Sequence, residues 1–180
     1  CFWLQDEGYH PYQLLGHSIQ KIAGSTTLGE LDFLLFNQHT QQVEHWEVAL
    51  KYYLAEAELN LAQWFGLNRA DTLQRKLQHF TQRQFQFSKA NELPIQAKFA
   101  VMKGQLFLPD TPNNIALPDW INTSRRLGLW GSHIPATPYQ RLQRHEWLCP
   151  HQHATSTTVK WWTNGLYYSA NAAAQFYMFR

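Results

Sequence analysis

Two segments of alternating character, joined by a short polar stretch, constrain the fold of this 180-residue chain more than any other feature. In the first segment, 28–36, Leu31 and Phe33 fall on one face of an extended strand and acidic residues fall on the other. The second segment, 43–54, alternates in the same way and is rich in β-branched and aromatic residues. Residues 37–42 between them are polar and typical of a turn. The sequence therefore predicts an antiparallel hairpin.

The second segment also fits a helix, and this alternative stays open at the level of the sequence. Six apolar residues recur there at helical spacing: Trp46, Leu50, Tyr53, Ala57, Leu61 and Trp64. In a helix, Glu47 and Lys51 are a surface pair one turn apart, worth about 0.3–0.5 kcal/mol. In a strand, His45, Glu47 and Lys51 share a face.

Further elements follow along the chain and predict a mixed α/β (α+β) fold with a β-rich C-terminal half. Asp71 is a good N-cap for a helix over 72–87. Lys103-Gly104 and Asn164-Gly165 are turn dipeptides between apolar runs, and each predicts a hairpin.

Composition fits one domain over 1–180, with a core at 19–88 and a β-rich extension at 95–180. The absence of an initiator Met predicts a truncated N-terminus. No apolar run reaches the ~20 residues that cross a bilayer, so no membrane partner is expected. Only two cysteines occur, which favours a reducing, cytoplasmic setting. The net charge of +2 requires a local basic patch for any nucleic-acid binding, and a homo-oligomer is left open.

The predicted hairpin brings two acids together. A turn symmetric about 37–42 places Asp32 opposite Glu47, with Cβ atoms about 4.5–5.5 Å apart. Two carboxylates so close destabilise a fold unless a cation or a shared proton relieves them. Glu30 lies on the same predicted face, and Lys51 lies diagonal to it. A hard divalent cation is the simplest partner for this arrangement.

Such a site suits phosphodiester hydrolysis. Mg²⁺ takes oxygen ligands, typically one or two carboxylates together with water and phosphate oxygens. It neutralises the phosphate, and a nearby ammonium such as that of Lys51 orients the attacking water. The sequence therefore predicts Mg²⁺ or Mn²⁺ as cofactor, Asp32, Glu47 and Lys51 as catalytic residues, and Asp32, Glu47 and Glu30 around the metal.

Two runs carry a family resemblance: TLGELDFLL at 27–35 and HWEVALKYYL at 45–54. They look like an uncharacterised bacterial domain-of-unknown-function family, which resembles the PD-(D/E)XK restriction-endonuclease-like superfamily. The resemblance implies a mixed sheet flanked by helices, a nuclease activity, and metal ligands at Asp32 and Glu47. It also implies a polar residue on the following helix, matched by Lys76 or Gln84.

One position departs from the superfamily pattern. Its lysine stands two residues after the second acid, where this chain has Ala49. Lys51 shares the predicted face and lies about 6.8 Å further along the strand by its rise.

The predicted partner is nucleic acid, with DNA the expected kind. The residues expected to contact its phosphates lie on the predicted helix: Lys76, His79, Arg83, Arg75 and Gln84. The alternatives are a nuclease fold without activity and a non-catalytic module that binds nucleic acid or protein. Cys149, His151 and His153 superficially suggest zinc but lack the paired, separated ligands of a structural site.

Overall fold

The computed structural model describes residues 3–111, 116–148, 159 and 161–180. This part of the chain is mostly strand with one α-helix, α1, at Leu73–Gln82. The strands are β1 Tyr12–Ala23, β2 Thr26–Asn37, β3 Gln42–Ala55, β4 Trp64–Gly66, β5 Lys89–Ala90, β6 Leu93–Pro94, β7 Ala97–Pro109, β8 Leu127–Gly131, β9 Gln140–Arg141, β10 Gly165–Tyr168 and β11 Phe176–Phe179. The predicted α+β class is confirmed in this coarse sense.

The chain forms two compact units. The first unit comprises Cys1–Leu50 and Arg75–Lys103, and the second comprises Lys51–Gln74 and Gly104–Arg180. Strands β3 and β7 each contribute residues to both units. The prediction of a single domain with a core at 19–88 stays a prediction.

The first unit is built on the antiparallel strands β1, β2 and β3. Residues 43–54 are therefore strand, and the helical alternative is wrong. Long-range pairing overrides helical spacing here, since β3 is hydrogen-bonded to β2 on one side and Val43 binds Gln96 on the other. An apolar cluster of Leu31, Leu34, Val43 and Ala90 forms its core.

The second unit contains the β-rich C-terminal half that the sequence predicts. Strand β8 pairs in parallel with β7 and β11, whereas β10 pairs antiparallel with β11 and β9. Strand β4 pairs antiparallel with the end of β3. Its main apolar cluster comprises Tyr52, Leu54, Phe107, Leu142, Leu166, Phe176 and Met178.

Two predicted hairpins are wrong. Strand β7 continues through Lys103-Gly104, where Gly104 has φ +126° within the strand and makes no turn. Strand β10 begins at Gly165 and pairs with β11 and β9, while 161–164 form no strand. In both cases the strand pairs with elements other than the segment across the predicted turn: β7 pairs with β8, and β10 pairs with β11 and β9.

Two further predictions concern a zinc site and the absence of a membrane span. Cys1 lies outside the described residues, as do the residues of the zinc alternative, Cys149, His151 and His153. Within the described ranges, no helix has both the length and the apolar character needed to span a membrane.

Candidate functional site

The hairpin register brings Asp32 and Glu47 together. The β2–β3 ladder runs from Asn37–Gln42 to Phe33–Trp46, the register that a symmetric turn predicts. Beyond the pair Phe33–Trp46, hydrogen bonds from backbone amides to the carboxylates of Asp32 and Glu47 connect the two strands. The amide of Asp32 donates to Glu47 Oε1 at 3.3 Å, and the amide of Val48 donates to Asp32 Oδ2 at 2.8 Å. Each acid therefore binds the backbone of the opposite strand.

A local irregularity in β1 and β2 lies at the same point. Ser18 has φ +49° and lies opposite Asp32 by the register of the pairs on either side. Strict alternation would place Leu31 and Leu34 on opposite faces, yet both belong to one apolar cluster. The strand therefore changes face near Asp32. This explains why Glu30, predicted on the face of Asp32, is exposed instead.

Glu47 is the centre of the site. Its side chain is 0% exposed, and His45 Nε2 lies 2.5 Å from its Oε1. The amide Nε2 of Gln84 donates to its other oxygen, Oε2. Buried charges persist in proteins where they are paired and hydrogen-bonded, and Glu47 has partners at both oxygens.

Gln84 extends this cluster to the protein surface. It lies in the 3₁₀ turn Gln84–Gln86 that follows α1, and its Oε1 is 3.1 Å from Nδ1 of the exposed His79. We call the connected set the acid network, formed by Asp32, Glu47, His45, Gln84 and His79. Four of its five members are among the site residues that the sequence predicts.

His45 is the member that the sequence prediction omitted. It is fully buried, and its Nδ1 has no hydrogen-bond partner among the described residues. The ring of Phe85 packs edge-on against it at 5.6 Å. The signal was present in the sequence, because His45 stands two residues before Glu47 and shares its strand face.

Lys51, the predicted catalytic lysine, belongs to the second unit and is paired there. Its Nζ lies 2.6 Å from Asp71 Oδ2. The hydroxyl of Tyr53 donates to the other oxygen of Asp71 at 3.4 Å. Burial raises the pKa of Tyr53, and the charge of Asp71 raises it further. Lys51, Asp71 and Tyr53 thus form a polar group of the second unit.

The remaining predicted residues have separate surroundings. Glu30 has no hydrogen bond or ion pair with Asp32 or Glu47 in the described part of the chain. Lys76 is half-buried, with Nζ 4.1 Å from the centroid of the Phe80 ring. Arg75 and Arg83 are exposed. Arg75 is thus an exposed cation on α1 and Arg83 one just after it, while Lys76 packs on an aromatic ring; their role in nucleic-acid binding stays a prediction.

The chemistry of the acids fits a hard cation. Within the described ranges, no group of three or more His, Cys, Asp or Glu side chains is arranged to hold a metal ion. Mg²⁺ needs fewer protein ligands, since it keeps several waters and takes one or two carboxylates. A carboxylate has about four lone-pair sites, so those of Asp32 and Glu47 retain acceptor capacity beyond the bonds above. The donor set fits a two-carboxylate site for Mg²⁺ or Mn²⁺.

Comparison with known sequence families gives a match over nearly the whole chain. Residues 1–176 match a sequence-family model described as a domain of unknown function (DUF1853). The predicted likeness to an uncharacterised domain family is thereby confirmed, while the likeness to the PD-(D/E)XK superfamily stays a prediction. No curated protein and no solved structure matches the chain.

Proposed function

This chain belongs to the DUF1853 family of domains of unknown function, and we propose that it is a magnesium-dependent nuclease that hydrolyses phosphodiester bonds, with DNA as the expected substrate. The proposal includes a restriction-endonuclease-like arrangement of the sheet around the acids. The observation that supports it most is the end of the β2–β3 ladder, where Asp32 and Glu47 turn towards the opposite strand.

Asp32 and Glu47 would hold the metal ion. When bound, Mg²⁺ supplies neutralisation of the phosphate and a lowered pKa for the attacking water. Asp32 is half-exposed and so accessible to a substrate phosphate, whereas Glu47 is buried. His45 and Gln84 fix the orientation of the Glu47 carboxylate through hydrogen bonds on both of its oxygens.

The substrate backbone would lie along the cations at the end of α1. His79 and Arg83 are exposed there, and Arg75 is exposed one turn before His79. Arg binds phosphate through two parallel N–H bonds, and such contacts carry affinity without reading sequence. The assignment of Lys51 to the attacking water stays a prediction.

The test is cleavage of duplex DNA, single-stranded DNA and RNA by the full chain with Mg²⁺ or Mn²⁺. The variant Asp32→Asn keeps the side-chain shape and removes the charge, so we expect a loss of about a hundredfold or more in rate. Glu92→Gln, on an exposed acid of the same unit, is the matched control and should cleave like the parent. Equal cleavage by Asp32→Asn and the parent would contradict the proposal.

A second candidate is a non-catalytic module that binds nucleic acid or protein. Two observations favour it. Both oxygens of the buried Glu47 already have hydrogen-bond partners, and Lys51 forms an ion pair with Asp71. This candidate predicts binding of nucleic acid without cleavage in either metal. The same assay therefore separates the two functions.

A further inference from the structure

A cavity in the second unit is lined by three arginines. It has a volume of about 300 Å³, and Arg141, Arg144 and Arg180 contribute to its wall. Trp147 lines it too, together with Leu142 and Met178, which are buried and belong to the apolar core of this unit. The cavity is therefore lined by both apolar and cationic side chains, and none of its residues belongs to the acid network.

The three guanidinium groups have no acidic partner in the described part of the chain. Arg141 donates to the carbonyl oxygen of Asn164 at 3.2 Å, and Arg180 donates to that of Leu67 at 2.6 Å. Arg144 lies over the Trp147 ring, 4.6 Å from its centroid. A guanidinium has five N–H donors, so most of these donors remain available. The contacts described for these three side chains are to neutral groups, and none of the three forms an ion pair within the described residues.

The turn that carries Arg144 is held rigidly. Gln143 and Glu146 form a reciprocal capping box around the 3₁₀ turn Arg144–Glu146. In it, the backbone amide of Gln143 donates to Glu146 Oε2 at 2.6 Å. Glu146 is buried and bound to the backbone. The centroid of the Tyr52 ring lies 5.2 Å from that of the Trp147 ring. The buried hydroxyl of Tyr52 has no hydrogen-bond partner among the described residues. A largely pre-formed wall with a few placed polar groups is typical of a small-molecule site, although Tyr52 itself does not line this cavity.

We propose that this cavity binds a small organic phosphate of nucleotide size. A phosphate monoester carries about −1.5 to −2 charges at neutral pH, which matches several arginines better than a single carboxylate does. Arg is the residue best suited to phosphate, because its planar fork makes two parallel hydrogen bonds. The volume is at the lower end of the range for small-molecule sites, which accommodates a sugar phosphate or a mononucleotide. Trp147 offers an aromatic surface to the organic part.

The test is calorimetric titration of the full chain with AMP, ribose 5-phosphate and adenosine. We expect both phosphates to bind and adenosine, which lacks the charge, not to bind. Arg141→Gln should weaken the affinity for AMP about tenfold or more, the usual effect of losing one charge-assisted hydrogen bond. Arg144→Gln is the second variant and should weaken binding likewise. Arg125→Gln, on an exposed arginine of the same unit outside the cavity, should bind AMP like the parent.

Three results would overturn the proposal. One is that neither AMP nor ribose 5-phosphate binds to the folded parent chain. Another is that adenosine binds as tightly as AMP, which would remove the role of the phosphate. The third is that Arg141→Gln and Arg144→Gln both bind AMP with the affinity of the parent, which would place any phosphate site elsewhere.

Discussion

At the level of residues, two polar side chains of β3, His45 and Glu47, are buried on the same face as the apolar Val43 and Ala49, while Val48 and Leu50 are 39% and 49% exposed. Burying polar groups is costly unless they are hydrogen-bonded. Here the two buried side chains, His45 and Glu47, bond to each other.

Removing the carboxylate of Glu47 should destabilise the fold. In Glu47→Ala, His45 Nε2 and Gln84 Nε2 lose their shared acceptor while remaining inside the protein. A buried polar group left without a partner costs about 1–3 kcal/mol, so we expect the free energy of unfolding to fall by at least about 2 kcal/mol. Urea unfolding of the full chain measures this.

The matched control is Glu30→Ala on the neighbouring strand. Glu30 is exposed, so its removal should change the free energy of unfolding by no more than about 0.5 kcal/mol. Equal effects of the two substitutions would contradict the structural account of Glu47.

Alternation in the sequence predicted the faces of β3 correctly but not which face is buried. That choice depends on Gln84, which reaches Glu47 from a segment 37 residues away. The pairing of Lys51 with Asp71, 20 residues away, was equally invisible to local spacing. Contacts between residues far apart in sequence could therefore not be predicted from the spacing of residue types.

At the scale of elements, turn chemistry predicted one hairpin and failed for two. The polar stretch 37–42 forms a true turn, in which the Asn37 side chain accepts the amides of His39 and Thr40. This local closure fixes the β2–β3 register, so the meeting of Asp32 and Glu47 could be predicted. The face change near Asp32 could not, because it involves Ser18, an L-residue with positive φ that no motif marks.

Gly104 is required by the close approach of strands β3 and β7 and not by a turn. A Cβ at this position would lie 1.8 Å from the carbonyl oxygen of Lys51. Because that neighbour is backbone and φ is +126°, Gly104→Ala should lower the free energy of unfolding by more than about 3 kcal/mol, measured by thermal or urea unfolding.

Gly24→Ala provides the comparison for this prediction. Gly24 also has positive φ, at +60°, but open space surrounds its Cβ position. Only the backbone penalty of about 1–2 kcal/mol applies there. A smaller loss for Gly104→Ala than for Gly24→Ala would show that the close approach to Lys51 is wrong.

For the whole molecule, the balance of strand and helix could be predicted, because composition and periodicity report on element type. The order of strands in the second unit could not, since β7, β8 and β11 pair in parallel across long connections. Parallel partners have no turn between them to mark the pairing in the sequence.

Stability of the whole chain should fall at alkaline pH because of Tyr177. Burial, and to a smaller extent the charge of Asp110 and a hydrogen bond with it, together raise the pKa of Tyr177 from 10.0 to about 12. The folded state then holds the phenolic proton more tightly than the unfolded state. Its stabilising contribution is complete below pH 10 and is lost as the pH rises through about 12.

Urea unfolding at several pH values above and below pH 10 measures this contribution. The alkaline loss of stability should be smaller in Tyr177→Phe, which has no phenolic proton. Tyr9→Phe, on a side chain that is 82% exposed, should keep the slope of the parent. An unchanged slope in Tyr177→Phe would contradict the prediction.

The central claim is that Asp32 and Glu47 together bind a divalent cation, and calorimetric titration of the full chain with Mn²⁺ tests it most directly. We expect one site in the parent and in Glu92→Gln, and loss of that site in Asp32→Asn, whose charge is removed without loss of volume. The claim is contradicted if the parent binds no Mn²⁺, or if Asp32→Asn binds it with unchanged affinity.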